Sequence, residues 1–196
     1  MKKRINIDGM LLASFLTTIF YSSTYPYIHK KVMMVASDSF IALNQIIECI
    51  SIIIFGSLWN KKSEKLFKHY HIFCILDTLS GIMLTIYAIV TNNIVAYYLL
   101  DTIVFAIITR NICCGIVKLK AIRYNSENER ERFDNNNNSV YSAATIIGSI
   151  IAMFLNLDFA IMLCLATFGN IIDNIFYIFI FYKTKKTKRK GDDIIC

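Results

Sequence analysis

Apolar residues gather into six stretches along the chain, at about Ile7–Tyr27, Phe40–Trp59, Tyr70–Val90, Ile94–Val117, Ser139–Leu157 and Phe159–Tyr182. Each is long enough, at 1.5 Å per residue, to cross a hydrocarbon core of about 30 Å as a helix. Polar residues are confined to the joints between stretches and to narrow stripes within them. The pattern predicts an all-α integral membrane protein with six transmembrane helices in residues 1–182 and a basic, disordered tail in 183–196. Pro26, the only proline, is expected to end the first span. Trp59 falls where an interfacial aromatic belongs. Lys2, Lys3 and Arg4 before the first stretch resemble a secretory leader, but the apolar run is too long and has no small-residue cleavage site.

Charge sets the orientation. Of the 21 Lys and Arg residues, 18 fall in the N-terminal tail, in the loops after spans two and four with their flanks, and in the C-terminal tail. The opposite side carries only Lys30 and Lys31. By the excess of positive residues on the inner side, both termini are expected in the cytoplasm, against the anionic leaflet. The net charge of +7 therefore reads as a membrane-surface signature and not a nucleic-acid one. Hydrophobic residues make up 56% of the chain, too many for a soluble domain with one buried core. The abundance of Ile, Asn and Lys is that of an AT-rich genome, and the expected location is a bacterial cytoplasmic membrane.

Little in the chain points to catalysis. The cysteines Cys49, Cys74, Cys113, Cys114, Cys164 and Cys196 form no metal-ligand spacing, and the adjacent pair points about 100° apart on a helix. They read as small apolar packing residues. His71 and Cys74 are close, as in a membrane cysteine peptidase, but the glycine pair and spacing such an enzyme needs are absent. His69 and His71 read as interfacial residues. No enzyme activity, metal or cofactor is expected.

The ionisable residues inside the spans carry more information. Glu48, Asp77, Arg110 and Asp173 lie eight to eleven residues from the predicted cytoplasmic ends, about 12–17 Å deep. One charge there costs at least about 2.5–3.5 kcal/mol unless paired or wetted. The three carboxylates sit on polar helix faces: Asn44, Glu48 and Ser51; Asp77, Ser80 and Gly81; Asn170, Asp173 and Tyr177 beside Gly169. Ser14, Thr18 and Tyr21 form a fourth stripe in span one. The stripes can line one water-filled pathway or tie a static bundle together. Asp101 and Arg110 fall on opposite faces of span four, and Arg110 is expected to be the one facing the cavity. Ala144, Gly148 and Ala152 repeat at four-residue spacing, a packing signal.

The loop after span two runs Gly56, Ser57, Leu58, Trp59, Asn60, Lys61, Lys62, Ser63, Glu64, Lys65. It resembles a degenerate copy of the loop signature of the major facilitator superfamily. Gly56, Lys61 and Lys65 match, while Asn60, Ser63 and Glu64 stand where Asp, Gly and a basic residue are usual. Arg110 in span four, followed by Gly115, is similar to the buried arginine of many members. Glu129-Arg130-Glu131-Arg132 before span five is similar to their Glu-Arg pair. The Gly-Pro signature of the family's antiporters is missing from span five.

The resemblance covers one half of a member. It implies alternating access, with Arg110 as a cavity charge or proton-coupling group and Glu48, Asp77 and Asp173 as its partners. Gly56, Asn60, Lys61 and Lys65 would form a gate loop turning on Gly56. One bundle needs a second wall, so the resemblance implies a truncated product, a separate second half or a homodimer. Two other readings stay open: a substrate-capture subunit of a vitamin uptake complex, and a non-transporting immunity or regulatory protein. Span one has Ala13 alone where the capture subunit would need spaced alanines.

Overall fold

A computed structural model describes residues 8–124, 126–154 and 158–192, the segment 186–192 by backbone alone. Six helices succeed one another: α1 Gly9–Val35, α2 Asp38–Lys68, α3 Tyr70–Thr91, α4 Ile94–Arg123, α5 Glu127–Phe154 and α6 Phe159–Asp192. Four of them (α2, α3, α4 and α6 to Lys185) are long and apolar enough to cross a membrane.

Local chemistry explains most of the boundaries. Asp8 caps α1 by accepting from the Met10 amide at 2.9 Å, Ser37 caps α2 at Phe40, and Asn93 caps α4 at Ala96. Asn92 ends α3 in the left-handed region at φ 50°. Ser126 and Glu129 begin α5 with a reciprocal pair. The Glu129 amide donates to Ser126 Oγ at 3.2 Å, and the Ser126 amide donates to Glu129 Oε2 at 3.4 Å.

Several sequence expectations need correction. Pro26 does not end α1, which runs nine residues further to Val35 and takes in Lys30 and Lys31. The hydroxyls of Ser23 and Thr24 donate back to the Phe20 carbonyl just before the proline, and flanking helices hold the segment in place. The loop after span two is helical: α2 continues to Lys68, with one non-helical residue at Lys62 (φ −129°, ψ 25°). Gly56 therefore lies inside a helix and makes no turn. The loop 118–138 shrinks to a break around Tyr124, because the cap at Ser126 recruits the asparagine run into α5. The tail expected to be disordered from Lys183 is helical to Asp192. Lys2, Lys3, Arg4, Asn156 and Cys196 lie outside the described residues.

The helices pack around α1, which lies against α5 and α6, while α3 packs on α6. The crossing of α1 and α5 uses the small-residue stripe. Ala144 is fully buried, and a Cβ on Gly148 would stand 2.7 Å from the Ile19 carbonyl oxygen. Two apolar clusters cap the interior. Tyr70, Cys74, Leu119, Phe133, Tyr177 and Phe181 fill the end bearing the basic residues. Ile28, Leu84, Ala88, Tyr97, Met162 and Leu163 fill the far end. Outward faces carry exposed isoleucines, as on α2 at Ile46, Ile50 and Ile53, which suits a hydrocarbon surround.

Candidate functional site

Between the two apolar clusters lies a cavity of about 440 Å³, walled by α1, α2, α3, α4 and α6. On α1 the face Thr17, Phe20, Tyr21, Thr24, Tyr25 and Ile28 repeats at three- and four-residue steps and lines it. From α3 come Asp77, Ser80, Gly81, Leu84 and Thr85, and from α6 Thr167, Gly169, Asn170 and Asp173. From α2 comes Glu48 alone. Tyr97, Tyr98, Asp101, Thr102 and Thr109 enter from α4.

Helix α4 is interrupted at this level by a π-helical segment, Phe105–Thr109. Its last residue turns toward α3, where the Thr109 hydroxyl donates to Asp77 Oδ1 at 2.6 Å. Asp77 Oδ2 accepts from the Asn174 amide at 3.0 Å, and Asn174 also donates to Asn170 Oδ1 at 2.8 Å. Across the cavity Thr17 donates to Asp173 Oδ1 at 2.7 Å. These bonds join α3, α4 and α6 on one side and α1 to α6 on the other. Thr85 and Thr167 hydroxyls share a further bond between α3 and α6 at 2.5 Å.

The predicted stripes are brought together in part. Glu48, Asp77, Asp173 and Asn170 all line the cavity. Asn44 and Ser51 are buried and turn their side chains to their own helix, onto the carbonyls of Phe40 and Glu48. Tyr177 belongs to the apolar cluster at the basic end, and Thr17 takes the place assigned to Thr18. On α4 the choice between Asp101 and Arg110 is reversed. Asp101 lines the cavity and Arg110 does not. The guanidinium of Arg110 lies 5.7 Å over the Phe105 ring, and its Nε is buried without a hydrogen-bond partner. The cavity lies toward the far end, level with Asp101, whereas Arg110 sits beyond the π segment at its floor. Missed by the sequence reading were Tyr25, Tyr97 and Tyr98, although Tyr25 continues the stripe of Thr18 and Tyr21 at four residues and Tyr97 and Tyr98 share a face with Asp101.

The basic end is closed by side chains from several helices. Asp8 accepts from the Tyr124 hydroxyl at 2.6 Å and pairs with Arg123 at 3.2 Å. Burial, and then the bond to Asp8, push the Tyr124 hydroxyl well above its usual range, so it remains a donor. Lys118 bridges to Glu64 and Ser63, and Lys120 pairs with Asp134. The would-be gate residues Asn60, Lys61 and Lys65 lie on α2 beside this closure, and Trp59 Nε1 donates to Asn111 Oδ1 at 2.8 Å.

His71 stacks on Phe181 within the aromatic floor. Among the described residues no group of His, Cys, Asp or Glu could hold a metal ion. No protein-family model matches the chain, and no similar curated protein or solved structure was found.

Proposed function

We propose that the chain spans the membrane six times and passes a small solute across it through the central cavity, as a half-size transporter of major-facilitator type. The observation that carries this reading is a cavity of about 440 Å³ with four carboxylates in its lining, between the helices of a bundle whose outer surface is apolar. A static bundle would close such a space with side chains, since buried carboxylates left facing a void gain nothing from it. A cavity between helices is where ligands bind in helical membrane bundles. A closed basic end beneath it fits one state of an alternating-access cycle.

The cavity is open at its side. Tyr21 and Tyr25 on its wall are 52% and 37% exposed, midway along α1 and not at a helix end. A polar mouth at that depth is costly against lipid. This supports a second wall, either another copy of the chain or a separate six-helix half.

The test is flux into proteoliposomes holding the purified chain, offered glucose, choline and acetate as neutral, cationic and anionic solutes. At least one should enter faster than into protein-free vesicles. Ser80→Phe, which fills the cavity, should return that flux to background. No flux of any of the three would overturn the transport reading, and binding without flux would favour the substrate-capture alternative.

A further inference from the structure

The chemistry of the lining narrows the solute. Four carboxylates, Glu48, Asp77, Asp101 and Asp173, face the cavity, and among the described residues no Lys, Arg or His lines it. Two are already engaged: Asp77 by Thr109 and Asn174, and Asp173 by Thr17. Glu48 and Asp101 receive no side-chain hydrogen bond or ion pair from any described residue. Unpaired carboxylates in a low-dielectric surround take up either a proton or a counter-charge, and a cationic ligand supplies the latter.

The donor set is not that of a transition-metal site. No three acidic, Cys or His side chains among the described residues gather closely enough to coordinate a metal. The volume is instead that of a small organic ligand. Tyr21, Tyr25, Tyr97 and Tyr98 supply aromatic wall, with Tyr21 and Tyr25 stacked at 4.6 Å between centroids at the open side. Aromatic faces attract alkylammonium groups, whose spread charge is less costly to desolvate than that of a small inorganic ion.

Resting on the solute-passage reading above, we propose that the cavity binds a compact organic cation, with Glu48 and Asp101 as its counter-charges and the four tyrosines as its cage. Equilibrium dialysis of labelled choline against the purified full chain in lipid nanodiscs tests this. Its neutral isostere 3,3-dimethylbutan-1-ol serves as competitor. Wild type should bind choline, and the isostere should fail to displace it. The pair Glu48→Gln and Asp101→Asn should weaken binding at least about tenfold, the factor expected from losing one favourable charge interaction. Circular dichroism should show unchanged helicity, because neither carboxylate holds another helix.

If the double variant does not fold, the isostere competition on wild type decides by itself. Equal competition by the neutral compound, no choline binding by folded wild type, or undiminished binding by the folded double variant would each overturn the proposal. Passage of glucose or acetate without choline binding would sink this inference and leave transport standing. Choline binding without flux of any solute would do the reverse.

Discussion

At the scale of single residues, the glycines separate packing from permissiveness. A Cβ on Gly148 would press on α1 backbone at 2.7 Å, and backbone cannot rotate away. Gly148→Ala should therefore destabilise the bundle by about 1–3 kcal/mol, read as a lowered thermal midpoint in detergent. Gly56 has no atom within 4 Å of a built Cβ and sits in a helix interior. Gly56→Ala should stabilise by about 0.5–1 kcal/mol in the same assay, an outcome a turning gate at Gly56 would reverse.

Trp59→Phe leaves the buried Asn111 oxygen without its donor and should cost about 1–3 kcal/mol. Tyr124 carries a pH signature. Its raised folded value means its contribution is whole below the free value of about 10 and is lost as pH climbs above that. Tyr124→Phe should flatten that alkaline limb in a series of melts across pH.

At the scale of elements, the amino-acid pattern foretold six helices and part of the polar lining between them, but not where the helices stop. Spacing put Asp77, Ser80 and Gly81 on one face and Asn170 and Asp173 on another, and both faces meet in the cavity. The start of α5 was misplaced at Ser139, after four consecutive asparagines, whereas Ser126 with Glu129 three residues later caps it in the structure. A cap and an acidic first turn outweigh weak intrinsic preference there.

The π segment in α4 left no such trace, since its sequence, Phe-Ala-Ile-Ile-Thr, is ordinary apolar helix. Such segments arise from one extra residue in a turn and recur at functional sites. Deleting Ile107, an exposed residue within it, removes that extra residue and should restore plain helix with both flanks of α4 still presenting the same faces. Thr109 should stay within reach of Asp77 and Asn111 of Trp59, so the deletion should leave the thermal midpoint nearly unchanged, and a large drop would contradict a single-residue insertion.

At the scale of the whole molecule, the structure is a bundle with a dry aromatic floor, a ring of interhelix ion pairs beneath it and an acidic cavity above. Spacing alone could not settle which of Asp101 and Arg110 faces inward, because both answers satisfy the same helical angle. Only the level of the cavity decides it. Passage of a solute requires that cavity to be reachable from water while the protein is in a bilayer.

The most direct test is Ser80→Cys on a background without native cysteines, reconstituted in vesicles and treated with membrane-impermeant methanethiosulfonates. The cationic trimethylammonium reagent should modify the introduced thiol at least about tenfold faster than the anionic sulfonate, because the surrounding carboxylates concentrate cations. Modification by neither reagent in the folded protein would show a sealed bundle and contradict passage through the cavity.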